Sequence, residues 1–187
     1  SHHIHWFWAA HVVHHSSTKM NFSTAFRQSL MYPLTGMWLF WTPMVLVGFD
    51  PTIVFAVVAL NLAFQFFVHT QIVDKLGWVE NLFNTPSHHR VHHATNPDYI
   101  DKNFAGVLII WDKLFGTYVE ESPSDPCQYG IVEPLKSHNP LIITFHQWTR
   151  LFRQVGVAKG IKARLKVLFG YPASEIDKSP VDESSRA

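Results

Sequence analysis

The sequence predicts an all-α protein: a multi-pass membrane helical bundle with a transmembrane hairpin and a histidine-rich helical cap on the cytoplasmic face. Three observations predict this class. Two long stretches contain no charged residue, histidines recur at helical spacing on both sides of them, and 47% of the 187 residues are hydrophobic whereas 16% are charged. This length suits one domain, and the single cysteine excludes an internal disulfide framework.

The hairpin is predicted from residues 28–49 and 51–73, which are separated only by the charged Asp50. Each stretch is long enough to cross a bilayer, which takes about 20 helical residues. Two prolines and a glycine in the first stretch would weaken a helix in water, but neighbouring membrane helices tolerate such residues. The intervening "GFDPT" predicts a tight turn between antiparallel spans. The alternative is a buried hairpin of a soluble protein.

The topology follows from two crossings, which return the chain to the side where it started. Both groups of histidines and every Lys and Arg then lie on one side, which the positive-inside rule makes cytoplasmic, in a bacterial inner membrane or the endoplasmic reticulum. Several tryptophans fall outside the apolar stretches and suit the headgroup level, with a place in the core as the alternative: Trp6, Trp8, Trp78, Trp111 and Trp148.

Two histidine motifs carry the chemistry, "HVVHH" at 11–15 and "HRVHH" at 89–93. Offsets of three and four place side chains on one helical face. Each motif is therefore expected to present three converging imidazoles: His11, His14 and His15, and His89, His92 and His93. Thr85 and Pro86 fit the N-cap and first position of the second helix. Neutral imidazole suits iron, copper, zinc or nickel, and six nitrogens are too many for one tetrahedral ion, so two ions are predicted.

The second apolar stretch carries a stripe of polar residues that ends in another candidate histidine. Asn61, Gln65 and His69 recur at intervals of four on an otherwise apolar helix. An ionisable residue at such a depth indicates function by default. The alternative for the two amides is hydrogen bonding between membrane helices.

Histidines outside these motifs carry less weight. The helical turn aims His88 about 100° away from His89, and His138 and His146 are predicted to be ordinary surface or hydrogen-bonded residues. A tag remnant is the alternative interpretation of the opening "SHHIH", but this run continues directly into the helix-like "WFWAAHVVHH".

These motifs resemble the fatty acid hydroxylase and sterol desaturase superfamily of membrane di-metal oxygenases. That family has three histidine boxes: HxxxH, HxxHH, and a distant HxxHH after a transmembrane hairpin. Here "HVVHH" resembles the second box and "NTPSHHRVHH" the third. His2, nine residues before His11, stands where the family has the last histidine of box one. The first histidine of that box and the upstream spans would precede Ser1, so the chain is expected to be N-terminally truncated.

The resemblance extends from His2 to about Tyr171. It implies a catalytic domain over residues 1–172, and the polar tail over 173–187 is predicted to be disordered. Within the superfamily the chain most resembles the alkylglycerol monooxygenase-like branch. That branch has Glu directly after the last histidine of box one, where this chain has His3. The departure weighs against ether-lipid cleavage with a reduced pterin.

The resemblance implies a non-haem di-iron centre that uses O2 to hydroxylate or desaturate a C–H bond of a fatty acyl chain, sterol or alkylglycerol. The bilayer and a lipid are the expected partners, with an unidentified electron-donor protein or a reduced pterin as reductant, and nucleic acid is not expected. The implied metal ligands are His2, His11, His14, His15, His69, His89, His92 and His93.

Further residues are expected around these ligands. Metal-bound histidines usually donate their other N–H to a carboxylate or carbonyl. Such outer partners are expected among His88, Asp101, Asn103 and Asp112, although the two aspartates could instead be helix caps. Asn61 and Gln65 are expected on the path of the substrate.

Two other functions remain open from the residues alone. A zinc-dependent membrane hydrolase would need a water-activating Glu close to the histidines, as in HExxH, and no such motif occurs. A non-catalytic metal-binding or lipid-binding membrane protein would not require two matched motifs on one side.

A basic amphipathic stretch follows the second motif. Residues 141–170 contain six Lys or Arg and no Asp or Glu, interspersed with large apolar residues. Such a stretch is predicted to lie on an anionic leaflet. A plain solvated face is the alternative.

Overall fold

The computed structural model describes residues 1–172, so the tail predicted over 173–187 lies outside the described residues. Within 1–172 the chain forms helices and three isolated β-bridges, and this confirms the all-α class. Short 3₁₀ segments cover Met37–Trp41, Gly77–Asn81 and Pro97–Tyr99. The α-helices are α1 (His5–His15), α2 (Phe22–Ala25), α3 (Tyr32–Thr35), α4 (Thr42–Leu46), α5 (Pro51–Val68), α6 (Pro86–His92), α7 (Ile110–Phe115), α8 (Pro140–Val157) and α9 (Ile161–Phe169).

Helix α5 is the one described helix that is long and apolar enough to cross a membrane. It begins where the Asp50 carboxylate accepts the Thr52 N–H at 2.7 Å, and Pro51 occupies the first turn, where no N–H is needed. Almost none of α5 is buried: Phe55 is 76% exposed and Leu60 is 70% exposed. Within residues 1–172, α5 is therefore not a buried core helix, which argues against the buried-hairpin alternative.

The predicted first span over 28–49 is not one helix, and this part of the prediction is wrong. The segment divides into α3, a 3₁₀ turn and α4. Gly36 ends α3 with a φ of 78°, a left-handed conformation that glycine adopts without a steric penalty. Pro33 and Pro43 lie in the first turns of α3 and α4, where a missing N–H does no harm, so each proline begins a new helix.

The core joins α1 to α8 and α9. Ala9 and Ala10 of α1 are fully buried against Trp148 and Leu151 of α8, and these small residues allow the helices to approach closely. Trp8 is also buried, at 5% exposure. Of the five tryptophans predicted at the headgroup level, Trp8 and Trp148 are therefore core residues. This packing turns the opposite face of α1, which carries the histidines, toward α5 and α6.

A loop over residues 101–105 covers the histidines, and two predicted site residues hold it. The Asp112 carboxylate accepts the N–H groups of Phe104 and Ala105, each at 2.8 Å. The Asn103 amide donates to the His88 carbonyl at 3.2 Å. Asp101 and Asn103 both have positive φ, 56° and 51°. For residues other than glycine this conformation is uncommon, and Asn and Asp adopt it most readily.

Candidate metal centre

The structure places all eight predicted ligands in two adjacent clusters. In each cluster the four candidate ligand atoms lie within 4.8 Å of one another. No further group of three or more His, Cys, Asp or Glu side chains with this geometry occurs in residues 1–172. Cluster A consists of His2, His11, His15 and His92, and cluster B of His14, His69, His89 and His93.

The two motifs do not each serve one ion, which corrects the expectation of two three-histidine faces. His11 and His15 point into cluster A while His14 points into cluster B; in the second motif His92 joins cluster A and its two companions join cluster B. Residues four apart differ by only about 40° around a helix, whereas adjacent residues differ by about 100°. Each helix therefore supplies a pair to one cluster and a single ligand to the other.

The two clusters touch. The rings of His15 and His93, one from each cluster, are stacked with centroids 4.3 Å apart and an interplanar angle of 20°. Two ions held in these clusters would be near neighbours.

The nitrogen spacing suits metal ligation. The Nε2 atoms of His14 and His69 are 3.0 Å apart, and the Nε2 atoms of His69 and His89 are 3.1 Å apart. In cluster A the Nε2 atoms of His11 and His15 are also 3.1 Å apart. Two nitrogens about 2.1 Å from one ion and at right angles to each other lie about 3.0 Å apart.

Outer contacts orient several rings. The Nδ1–H of His69 donates to the Gln65 carbonyl at 2.6 Å, and that of His92 donates to the Lys102 carbonyl at 3.1 Å. Each contact leaves the Nε2 lone pair facing the cluster, as in metal-bound histidines. His2 Nε2 and His93 Nε2 are buried and have no hydrogen-bond partner in the described part of the chain, which also fits ligation. The Nδ1 atoms of His14 and His89 likewise have no partner there, although the Nε2 atoms of these two rings are the ones that face the cluster.

Burial keeps the clusters neutral. It lowers the pKa of His14 to about 3, and it lowers the pKa values of His15 and His93 well below the ordinary value, with neighbouring imidazoles as a smaller cause. A histidine must be unprotonated to bind a metal. The clusters are therefore ready to bind at neutral pH.

Asp101 and His88 show two different outcomes for the predicted outer partners. Asp101 Oδ1 lies 3.4 Å from His2 Nδ1, and the Tyr171 hydroxyl donates to the same carboxylate. Asp101 is therefore placed to orient a cluster A ligand. His88 points away from both clusters, toward Glu80 Oε2 at 3.9 Å. Asn103 and Asp112 act on the covering loop rather than on a ligand ring.

Sequence analysis missed Tyr32, Glu80 and the burial of Trp8 beside cluster A. The Tyr32 hydroxyl lies 2.6 Å from His11 Nδ1. Glu80 is 9% exposed and accepts the hydroxyls of Thr85 and Ser87 at 3.1 and 2.9 Å. Thr85 is the N-cap residue of α6, as predicted, but its hydroxyl binds Glu80 instead of the helix N–H groups. A Glu close to a turn and a Tyr in an apolar run carry no recognisable motif.

A cavity of about 380 Å³, called here the large cavity, opens onto both clusters. His11 and His92 of cluster A line it together with His14 and His89 of cluster B, and Gln65 of α5 adds an amide. Asn61 does not line it but lies one turn away, beneath the backbone of Gly106. A Cβ at Gly106 would come within 2.9 Å of both amide side chains, so a larger residue there would displace them.

Replacing Tyr32 by Phe is expected to weaken metal binding in cluster A by roughly 10- to 100-fold, the usual effect of losing an outer hydrogen bond to a ligand histidine. The apolar contacts of the ring remain, so the fold should persist. Metal titration followed by absorbance measures the change. The control is Tyr99→Phe, whose hydroxyl binds Ser122 N–H and the Asp125 carbonyl away from the clusters. Equal metal affinity in both variants would contradict the role of Tyr32.

Fold and site together define an α-helical protein with paired four-histidine clusters at the end of an exposed apolar helix. The family model for fatty acid hydroxylase matches residues 1–117. The chain therefore belongs to the fatty acid hydroxylase family. The family match and the geometry of the site agree, since the matched range contains all eight histidines of the two clusters.

Similarity to individual proteins covers more of the chain. It is 42% identical to alkylglycerol monooxygenase of Homo sapiens and 43% identical to that of Danio rerio, each over 173 residues, which are 92% of this chain and 38% of the relative. It is 26% identical to ornithine lipid hydroxylase OlsE of Rhizobium tropici over 111 residues, 59% of this chain and 34% of that protein.

These matches support the alkylglycerol monooxygenase-like branch. The chain spans little more than a third of the length of the curated relatives it matches, at 38% for the first two. No solved structure matches the chain significantly.

Proposed function

We propose that this chain carries the catalytic centre of a membrane-bound non-haem di-iron oxygenase that hydroxylates a C–H bond of a lipid. The observation that carries the proposal is the pair of touching four-histidine clusters beside a cavity at the end of an apolar helix. An alkyl C–H bond offers no charge for a protein to bind. The reactive oxidant must therefore come from a cofactor, while the protein orients the substrate and excludes water.

The metal ions, the histidines and the cavity have separate roles in the proposed reaction. Two irons, when bound, would supply the activation of O2. The eight imidazoles hold the metals as neutral ligands, and Asp101 and the carbonyls of Gln65 and Lys102 fix the ring orientations. The large cavity positions the alkyl group against both clusters, and the Gln65 amide can bind a polar atom of the lipid.

A zinc hydrolase is less well supported. Such an enzyme needs a carboxylate beside a metal-bound water. Within residues 1–172 the metal clusters contain no carboxylate, and Asp101 is held by His2 and Tyr171.

The names of the relatives suggest the substrate class. Two of them are alkylglycerol monooxygenases, and another hydroxylates an ornithine lipid. We therefore propose an alkylglycerol as the first candidate substrate and a fatty acyl lipid as the second. His3, the residue that departs from the branch, is largely exposed, makes an edge-on ring contact with Phe104 and a tilted one with Tyr171, and lines the large cavity without joining either cluster. Its position is compatible with either substrate.

The test is to load the purified protein with ferrous iron without oxygen, and then to measure bound iron and oxygen consumption with an alkylglycerol, a fatty acyl lipid or no lipid. We expect two irons per chain and lipid-dependent oxygen consumption with a hydroxylated product. Stoichiometric zinc with hydrolysis of the lipid would replace the proposal with the hydrolase. Metal content must be read together with activity, because zinc and copper outcompete ferrous iron at nitrogen sites.

The membrane arrangement is also a proposal. We place α5 across the bilayer and residues 28–49 beside it as a broken first span, with both clusters on the cytoplasmic side. Exposed apolar side chains on α3, α4 and α5 support this placement, since surfaces of this size are rare in water. A broken helix is tolerated at membrane depth where neighbouring protein satisfies its backbone.

Helices α8 and α9 are proposed to lie on the anionic leaflet. The outer face of α8 exposes Leu141, Phe145 and Phe152, and α9 exposes Ile161, Leu165 and Phe169 at intervals of four. Both helices pack on α1, and Met31 and Tyr32 of the apolar segment pack against the core cluster that Trp148 and Leu151 of α8 form with α1. Basic residues beside these apolar stripes suit acidic headgroups.

Single-cysteine labelling is expected to confirm this topology. With Cys127 changed to Ser, Asp50→Cys should react with a membrane-impermeant thiol reagent from the outer side of sealed vesicles, and Ser124→Cys from the cytoplasmic side. The turn and the histidine side face opposite compartments if the chain crosses twice. Labelling of both cysteines from one side would contradict the two-crossing topology.

A further inference from the structure

A second, smaller cavity reaches the histidine clusters from another side. It measures about 30 Å³ and is lined by His2, His15 and His92 of cluster A, by His93 of cluster B, and by the segment around Ile131. A space of about 10–15 Å³ is enough for one water molecule. This small cavity therefore admits one or two water-sized molecules and excludes a lipid tail.

The two cavities reach different faces of the centre. His15 and His93 line the small cavity but not the large one, whereas His11, His14 and His89 line the large cavity but not the small one. Only His2 and His92 line both. The stacked rings of His15 and His93 thus line the small cavity, and the cavity proposed to receive lipid is lined mainly by other histidines.

The chemistry requires such a separation, and this step rests on the proposed function. Hydroxylation converts R–H, O2, two protons and two electrons into R–OH and water, with the electrons coming from an external reductant. One water must therefore leave and two protons must arrive in every turnover. When an alkyl chain fills the large cavity, it closes that route to water.

We infer that the small cavity is a water port: the route by which water-sized molecules reach and leave the paired clusters while a lipid occupies the large cavity. Its lining agrees with that role. Asp101 and Thr95 add polar groups, while Ile100, Ile131 and Val132 restrict the width. Gly130, with a φ of 130°, places its backbone at the wall without a side chain.

Azide is the probe for the test, because a small anion travels through water and not through a lipid tail. The protein is loaded with ferric iron, incubated with or without an alkylglycerol, and mixed rapidly with azide while the absorption of the azide complex is recorded. In the unaltered protein we expect lipid to change the azide rate by less than about twofold, since the port stays open.

Two matched variants separate the cavities. With lipid bound, so that the large cavity is closed, Ile131→Trp, which narrows the port, is expected to slow azide binding at least about tenfold, because passage then awaits local opening. Ile131→Ala, which widens it, should leave the rate equal or faster. Ala105 lines the large cavity, so Ala105→Leu should weaken lipid binding and leave the azide rate unchanged. Iron content and circular dichroism check that each variant is folded.

The outcomes distinguish this inference from the proposed function. If lipid blocks azide in the unaltered protein, or if Ile131→Trp and Ile131→Ala bind azide at the same rate with lipid bound, the water port is wrong although the di-iron centre stands. If the unaltered protein binds iron but gives no azide complex, or binds no pair of irons, the proposed function fails and the port fails with it.

Discussion

Replacement of His92 by Ala is expected to abolish lipid-dependent turnover and to lower bound iron from two ions to about one per chain. His92 is a cluster A ligand whose Nδ1–H is held by the Lys102 carbonyl. Loss of an outer partner alone costs about 10- to 100-fold in metal affinity or activity, so loss of a ligand should cost at least that much. Iron analysis and product formation measure the two effects.

A pair of double variants makes this prediction specific to the clusters. His15 belongs to cluster A with His92, whereas the adjacent His14 belongs to cluster B. Adding His15→Ala to His92→Ala should leave about one iron, because the same site is already damaged. Adding His14→Ala should remove the remaining iron. Removing two ligands of the same ion is not additive, whereas removing one ligand from each cluster damages both sites.

His146→Ala is the control for the His92 variants. Its Nδ1–H donates to the Ile143 carbonyl at 2.8 Å within α8, and His146 belongs to neither cluster. Its iron content should equal that of the unaltered protein. If His92→Ala keeps two irons, or if the two double variants retain the same amount of iron, the division into clusters A and B is wrong.

The sequence predicted which histidines come together, but not which of the two clusters each histidine joins. Each HxxHH motif marks three histidines of the clusters, and the stripe ending at His69 marks a seventh candidate ligand. His2 came from the resemblance to the family. Which ligand joins which cluster depends on how α1 and α6 face each other, and helical spacing within one motif contains no information about that.

Other features lay outside the reach of sequence patterns for physical reasons. The break at Gly36 depends on one left-handed residue, and a membrane tolerates glycine and proline in a helix, so hydropathy alone suggested a continuous span. Glu80 reads as a surface charge, but the fold closes hydroxyls around it. Asp112 reads as a cap or an outer partner, but the fold uses it to hold the loop that covers the histidines.

Arg90 shows how charge inside the protein supports the metal centre. It lies on α6 between ligands of both clusters and is 7% exposed. Its guanidinium donates to the Glu121 carboxylate at 2.6–3.0 Å, and its Nη1 donates to the carbonyls of Thr70 and Val73 at 3.1 and 2.7 Å. These carbonyls follow His69 along the chain. One side chain thus joins α6 to the segment that carries the α5 ligand.

Replacing Arg90 by Met is therefore expected to destabilise the protein by about 3–5 kcal/mol, because a poorly exposed carboxylate and two carbonyls lose their partner together. At about 2–4 °C per kcal/mol for a chain of this size, the melting temperature should fall by roughly 10 °C. The matched control is Arg150→Met, whose partner Glu133 is half exposed, and surface pairs contribute at most about 1 kcal/mol. Thermal unfolding in detergent, with and without iron, compares the two variants. Equal melting temperatures would show that the Arg90 contacts do not hold α6 against the end of α5.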